Sequence, residues 1–269
     1  MLVERYGNNQ EEQRLRRLLE RAFRENVPYD SFPEKEALRN FLLERQGNRC
    51  AYCERKINDK KRAAKEERPS ARRKPTNKIE HFHPQSNSSM SVECENAAGC
   101  GDPLKASLEL SNLLAVCAGQ TEHQGATLKH CDTSKAGADI CVSFKNPNVV
   151  RVDRPREPAT GSLVVVARDG TVTPNPAYFP SEEQQQQAEA VISSTLNLNV
   201  GWLKDTRAAL YAELTKLLAE IVRVQSKKHP NRGRPQLRAA FLKSKLLQLE
   251  KREYEYPSVY FSFCAHYSD

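Results

Sequence analysis

Apolar residues recur at helical spacing over residues 10–25, where Leu15, Leu18, Leu19 and Phe23 stand among Glu and Arg. That pattern predicts an amphipathic helix with one buried face, ended by Val27-Pro28. Ser31-Phe32-Pro33-Glu34 reads as the start of a second helix, with proline in its first turn. Leu38, Phe41 and Leu42 supply its apolar stripe, and Gly47-Asn48 stops it. The pattern then shortens. Lys78-Ile79-Glu80-His81-Phe82-His83-Pro84 and residues 110–117 read as short strand-like runs. Residues 84–109 and 118–130 read as loops, and a short helix is expected from about Asp132 to near Gly137.

Past Pro147 the composition changes. Val149 to Val152 and Leu163-Val164-Val165-Val166 read as strands, the latter followed by a turn at Asp169-Gly170. Ser181-Glu182-Glu183 opens a helix by capping chemistry. The strongest periodic segment spans 200–227, with Leu203, Leu210, Leu217 and Val224 on one seam and Leu214 and Ile221 on the next. Asn231-Arg232-Gly233 breaks it. Another helix carries Leu237, Phe241, Leu246, Leu247 and Leu249, and an aromatic-rich tail runs from Tyr254 to Tyr267. These last stripes read as core, with a partner-docking surface as the alternative. The fold class is therefore α+β and mostly helical. Three regions are expected: N-terminal helices at 1–48, a central module at 49–147 and a C-terminal strand-and-helix region at 148–269.

The chain has 269 residues, a formal charge of +8 and a pI near 9.1. It is long enough for a substantial core. A basic balance favours a polyanionic partner, of which nucleic acid is the commonest. Residues 54–78 hold eleven basic and four acidic residues, a net +7 that accounts for most of the excess. With Pro69 and Pro75 this stretch reads as a solvated insertion, or as a phosphate-contacting arm whose affinity falls with salt. The start of the chain lacks an apolar signal core, and no run approaches the roughly 18 apolar residues of a membrane span. The expected compartment is the cytoplasm. Eight cysteines in a reducing compartment point to metal binding or buried thiols, not to disulfides.

Cys50-Ala51-Tyr52-Cys53 has the spacing that lets two thiolates face one tetrahedral ion. A redox pair shares that spacing, but would open a helix inside a βαβ unit, which the flanks do not supply. Cys117 and Cys131 are candidates to complete a structural zinc site. Thirteen residues separate them, so His123 and His130 are alternatives to a thiolate. Cys94 and Cys100 read as loop thiols or as parts of a second site. Glu80 and His81 pair a hard oxygen ligand with an imidazole. Phosphodiester hydrolysis needs a base for water and a cation for the developing charge. Glu80 and Asp132 are candidate ligands for Mg²⁺ or Mn²⁺, His81 is the candidate base, and Asn112 the candidate that orients it. Neighbours on a strand face opposite sides, so a bulge or the strand's end must turn one of Glu80 and His81. His83 rivals His81.

The ordered set Cys-x-x-Cys, Glu-His-x-x-Pro, Asn-Leu-Leu-x-x-Cys and Cys-Asp-x-x-Lys over about 50–137 resembles the HNH (ββα-metal) endonuclease module with a zinc knuckle. The resemblance implies a zinc-stapled ββα-metal core in which Glu80 and Asp132 bind the catalytic cation, His81 is the general base and Asn112 orients it. The family's position at Asp132 is usually His or Asn. Cys-Ala-Tyr-Cys-Glu, Ile-Glu-His-Phe-x-Pro, Leu-Asn-Leu-Asn at 196–199 and Arg207 are similar to the PtuB family, the HNH nuclease subunits of Septu anti-phage systems, also found with some retrons. That similarity implies an ABC-type ATPase partner, PtuA-like, in a hetero-oligomeric complex. The expected function is metal-dependent cleavage of DNA, or of RNA, in phage defence. The alternative is a zinc-stapled nucleic-acid-binding module without catalysis; a redox or zinc-storage protein is a third reading.

Overall fold

The computed structural model describes residues 9–57, 77–85, 102–123, 126–148, 162–228, 233–250 and 255–268. Most of the basic insertion (58–76), Cys94, Cys100 and the expected strand at 149–152 lie outside these residues. The fold is α+β and mostly helical, with small antiparallel sheets. No helix among the described residues is long and apolar enough to cross a membrane.

Helix α1 spans Asn9–Arg24 and buries Leu15 and Leu19, as its spacing predicts. A single 3-10 turn at Tyr29–Ser31 precedes α2, Lys35–Arg45, which starts later than expected and buries Leu38, Phe41 and Leu42. Strand β1, Asn77–His81, follows the basic insertion. The insertion is narrower than its charge pattern suggests. Arg49 pairs with Lys56 in a β-bridge, Glu54 and Ile57 are buried, and Asn77 and Lys78 already belong to β1.

Within the expected loop at 84–109 lies a helix, α3, Pro103–Leu108. Its signal was legible: the Asp102 carboxylate accepts from the backbone N–H groups of Leu104 (2.9 Å) and Lys105 (3.1 Å), and Pro103 occupies the first turn. Strand β2, Leu113–Cys117, is entirely buried and pairs antiparallel with β1, Asn77 opposite Cys117 and His81 opposite Leu113. The Gln46 side chain ties α2 to β2, donating to the Ala115 carbonyl (2.7 Å) and accepting from its N–H (2.8 Å). The expected loop at 118–130 is a hairpin, β3 (Gln120–His123) with β4 (Ala126–Lys129), and α4 follows at Cys131–Lys135. Its shortness hid it: β4 has four residues, is largely exposed and sets only Ala126 and Leu128 on one face.

Strands β5 (Val164–Val166) and β6 (Val172–Pro174) form the expected hairpin. Ser181 and Gln184 cap α5, Glu182–Ala190, through a reciprocal capping box. Helix α6, Gly201–Lys228, is as long as its periodicity predicts, but its buried stripe is not the expected seam. Leu203, Arg207, Tyr211, Leu214 and Leu218 are buried, whereas Leu217 is exposed. The spacing of 4, 4, 3 and 4 residues follows the 3.6-residue turn of a helix in a globular core, not a heptad. Helices α7 (Arg234–Glu250) and α8 (Pro257–Ser268) complete the chain, and α8 buries Val259, Tyr260, Phe261, Phe263 and Cys264, so the aromatic tail is core.

The C-terminal region is bonded to the central module. Buried Glu54 accepts from the Ser258 N–H (2.9 Å) and hydroxyl (2.5 Å). The Leu196 carbonyl accepts from the Cys131 N–H (2.7 Å), and the Asn197 amide donates to the Lys129 carbonyl (2.8 Å). Arg207 bridges the Gly170 carbonyl (2.8 Å) and the Leu198 carbonyl (2.7 Å). The Leu-Asn-Leu-Asn and Arg207 positions are thus a structural clasp between the hairpins and α6. Gly170 sits under it at φ +80°, where an added Cβ would lie 2.0 Å from the Lys204 carbonyl oxygen. Gly170→Ala should destabilise the fold by about 2–3 kcal/mol, through both the left-handed backbone and the clash. A denaturant titration checks this, and an unchanged midpoint would deny the clasp its importance.

Candidate metal centres and the Glu80–Asp132 site

Cys50 and Cys53 lie between α2 and the insertion, Cys117 ends β2 and Cys131 opens α4. These four thiols converge: the Cys50 and Cys131 sulfurs are 3.9 Å apart, the Cys53 and Cys117 sulfurs are 3.9 Å apart, and all four lie within 4.8 Å of one another. A tetrahedral Zn–S₄ centre with bonds of about 2.3 Å requires S–S separations of about 3.8 Å. The cluster therefore fits a structural zinc, completed by the pair that the sequence split by thirteen residues. All four are buried and free. The Cys117 thiol is held well below its ordinary pKa, chiefly by hydrogen bonds from Cys131, Cys50 and Cys53. A shared burden of negative charge of this kind suits a cation.

His130 does not replace a thiolate. Its Nδ1 lies 3.1 Å from the Cys131 sulfur and 3.9 Å from that of Cys117, against the outside of the cluster, with its ring edge-on to Trp202. The Arg55 guanidinium lies over the Trp202 ring, 5.3 Å from its centroid. His123 has its backbone in β3.

Glu80 and Asp132 come together from β1 and α4. Lys135 donates to Glu80 at 2.8 Å, and Lys78 donates to Asp132 at 2.7 Å and to the Thr133 hydroxyl at 2.9 Å. The Tyr52 hydroxyl, from inside the Cys-x-x-Cys knuckle, lies 3.4 Å from the same Glu80 oxygen. Burial pushes the Glu80 carboxyl up to about 8, and the neighbouring Asp132 adds to this against Lys135. Burial also works to raise Asp132, but hydrogen bonds from Glu80 and Lys78 outweigh it and hold Asp132 below its ordinary value. Two carboxyls that share a proton beside two lysines have the donor chemistry of a hard-cation site, in which the cation takes the place of proton and ammonium groups.

His81 is the last residue of β1, and strand alternation sends its ring away from Glu80. The ring packs edge-on against Tyr29 at 4.5 Å, and Nε2 lies 3.0 Å from the Ser107 carbonyl. A carbonyl only accepts, so Nε2 carries the hydrogen and Nδ1 keeps the lone pair. Burial pulls the His81 pKa down to about 4, so the ring is neutral near pH 7. The orienting partner expected at Asn112 is instead Ser107. Asn112 acts on the backbone: its carbonyl oxygen accepts from the His83 N–H (2.8 Å), and its amide donates to the His83 carbonyl (2.9 Å) and the Ala106 carbonyl (2.9 Å). It fixes the turn after β1 against α3. His83 itself is fully buried, and its Nδ1 faces Asp139 and Cys141.

Lys135, Tyr52 and Ser107 are site residues that sequence reasoning did not assign. Lys135 stood in the Cys-Asp-x-x-Lys spacing, one helical turn after Asp132. Ser107 carried no signal, because it contributes a backbone carbonyl. No protein-family model matches the chain, and no curated protein matches it.

Removal of one thiolate tests the zinc assignment. Cys117→Ser should abolish stoichiometric zinc at this cluster and lower Tm by about 10 °C or more, because metal binding and folding share their free energy. Elemental analysis and a thermal melt measure both; unchanged values would reject the site.

Proposed function

We propose that this chain is a metal-dependent endonuclease of the HNH type, cleaving nucleic-acid phosphodiester bonds. The observation that carries the reading is the pair of buried Glu80 and half-buried Asp132, bracketed by Lys78 and Lys135, at the end of the strand that also bears neutral His81. The antiparallel β1–β2 pair followed by α4, with the four-cysteine cluster beside it, is consistent with a ββα-metal core. Glu80 and Asp132 would hold Mg²⁺ or Mn²⁺, which supplies charge stabilisation at the phosphate and the leaving oxygen.

The chain's own groups do the rest. His81 would accept the proton of the attacking water through Nδ1, as its oxygen bonds to phosphorus and the P–O bond to the sugar breaks; the ring leaves β1 on the face opposite Glu80, so this reading requires the side chain to turn toward the cation. Ser107 holds the ring in the tautomer that leaves Nδ1 free. Burial keeps the imidazole neutral and ready to accept that proton. Basic residues of the 54–78 stretch supply phosphate contacts whose strength falls with salt. DNA is the favoured polymer and RNA the second. By the resemblance of its motifs to the Septu nuclease subunits, the chain acts in phage defence with an ABC-type ATPase, in the cytoplasm.

A non-catalytic binding module is the competing reading, favoured by the lysines that already neutralise both carboxylates. Cleavage decides between them. Plasmid DNA and cellular RNA are incubated with the protein, alone and with an ATPase encoded beside it, under added Mg²⁺ or Mn²⁺. His81→Ala should reduce the rate by about 10² to 10⁴ while keeping zinc and fold. Equal cleavage by His81→Ala and wild type, or none in any combination, would favour the binding module.

A further inference from the structure

The register of the β1–β2 ladder puts the four-cysteine cluster at one end, where Asn77 faces Cys117. At the other end, just past His81, three more potential ligands meet. His83 Nδ1 lies 3.2 Å from an Asp139 carboxylate oxygen and 3.3 Å from the Cys141 sulfur, and the three ligand atoms all lie within 4.8 Å of one another. We propose that His83, Asp139 and Cys141 form a second zinc site, separate from the four-cysteine cluster and from the Glu80–Asp132 pair.

Three features support it. The two separations from His83 Nδ1, 3.2 and 3.3 Å, are close to the about 3.3 to 3.6 Å that bond lengths of about 2.0–2.3 Å set in tetrahedral zinc bound by N, O and S. The carboxylate and the sulfur both approach the same ring nitrogen. A Cys–His–Asp relay needs them on opposite nitrogens, so this arrangement is not a nucleophile triad. A single proton on Nδ1 points one way, whereas a cation at the centre contacts all three groups. The third feature is orientation. Asn112 grips the His83 backbone on both its N–H and its carbonyl, and the other Asp139 oxygen accepts from the Cys141 N–H at 3.0 Å. These hydrogen bonds fix the backbone positions from which His83 and Cys141 project.

His83 and Cys141 are buried, while Asp139 reaches partly to solvent, so a fourth position on that side is open to water. An ion there ties the turn after β1 to the turn after α4. The two zinc sites then bracket β1, β2 and α4 from both ends, with Glu80 and His81 between them. This inference does not rest on the nuclease reading, and its readout is metal content.

The test is elemental analysis of the full chain purified with zinc, compared with Asp139→Asn, Cys141→Ala and Glu80→Gln. Cobalt substitution and circular dichroism report the four-thiolate centre and the fold. Asp139→Asn and Cys141→Ala should each contain one zinc fewer than wild type and keep the four-thiolate cobalt bands, while Glu80→Gln keeps the wild-type content. Asp139 is partly exposed, so its near-isosteric change keeps the test valid if Cys141→Ala misfolds. Equal zinc in wild type and Asp139→Asn would overturn the proposal, as would loss of the additional zinc in Glu80→Gln, which would locate that ion at the carboxylate pair.

Discussion

Four sulfurs drawn from positions 50 to 131 to within 4.8 Å of one another are the constraint on which this structure depends. They come from three local contexts: two from a knuckle after α2, one from the end of β2 and one from the start of α4. The surrounding module is small, with two-stranded sheets and a helix of five residues, and sheets of that size are marginal alone. A zinc ion at this point would close loops of tens of residues and fix where β2 and α4 stand relative to each other. The C-terminal helices reinforce it, through Leu196 on the Cys131 backbone and Ser258 on Glu54.

The carboxylate site follows from that closure. Asp132 is the next residue after a zinc-cluster cysteine, and Tyr52 lies between two others, reaching Glu80. The staple therefore sets the distance between the two groups that are candidate cation ligands. Lys78 and Lys135 supply positive charge at the pair, and burial raises Glu80 so that it holds a proton at neutral pH. Binding of a divalent ion has to displace these interactions and release that proton, so affinity for it rises with pH through the Glu80 value near 8.

Much of this was legible in the chain. Cys50 and Cys53 could be named from spacing, Cys117 and Cys131 as thiols flanking the 118–130 loop with His123 and His130 as alternatives, and Glu80, His81 and Asp132 as candidates from their order. What escaped has physical reasons. Ser107 acts through its backbone, which no side-chain pattern reveals. Strand β4 is largely exposed and only four residues long, so its alternation of Ala126 and Leu128 with Thr127 and Lys129 was too short to mark it. On α6 the Leu203–Leu210–Leu217 seam suggested a heptad, but Arg207 is buried for its hydrogen bonds and Leu217 is exposed, so a count of apolar residues mislaid the core face. The expectation that Asn112 holds the imidazole failed because its amide is consumed by the His83 backbone. The clasp role of Leu196 to Asn199 shows only in three dimensions.

The most direct measurement is Mn²⁺ binding, followed by the electron paramagnetic resonance of free Mn²⁺ at pH 8, in wild type, Glu80→Gln, Asp132→Asn and His81→Ala. Stoichiometric binding is expected in wild type and His81→Ala, and a loss of affinity of at least about tenfold in the two carboxylate variants. Binding of equal strength in wild type and both carboxylate variants, or no binding in wild type, would contradict the assignment of Glu80 and Asp132 as the cation site.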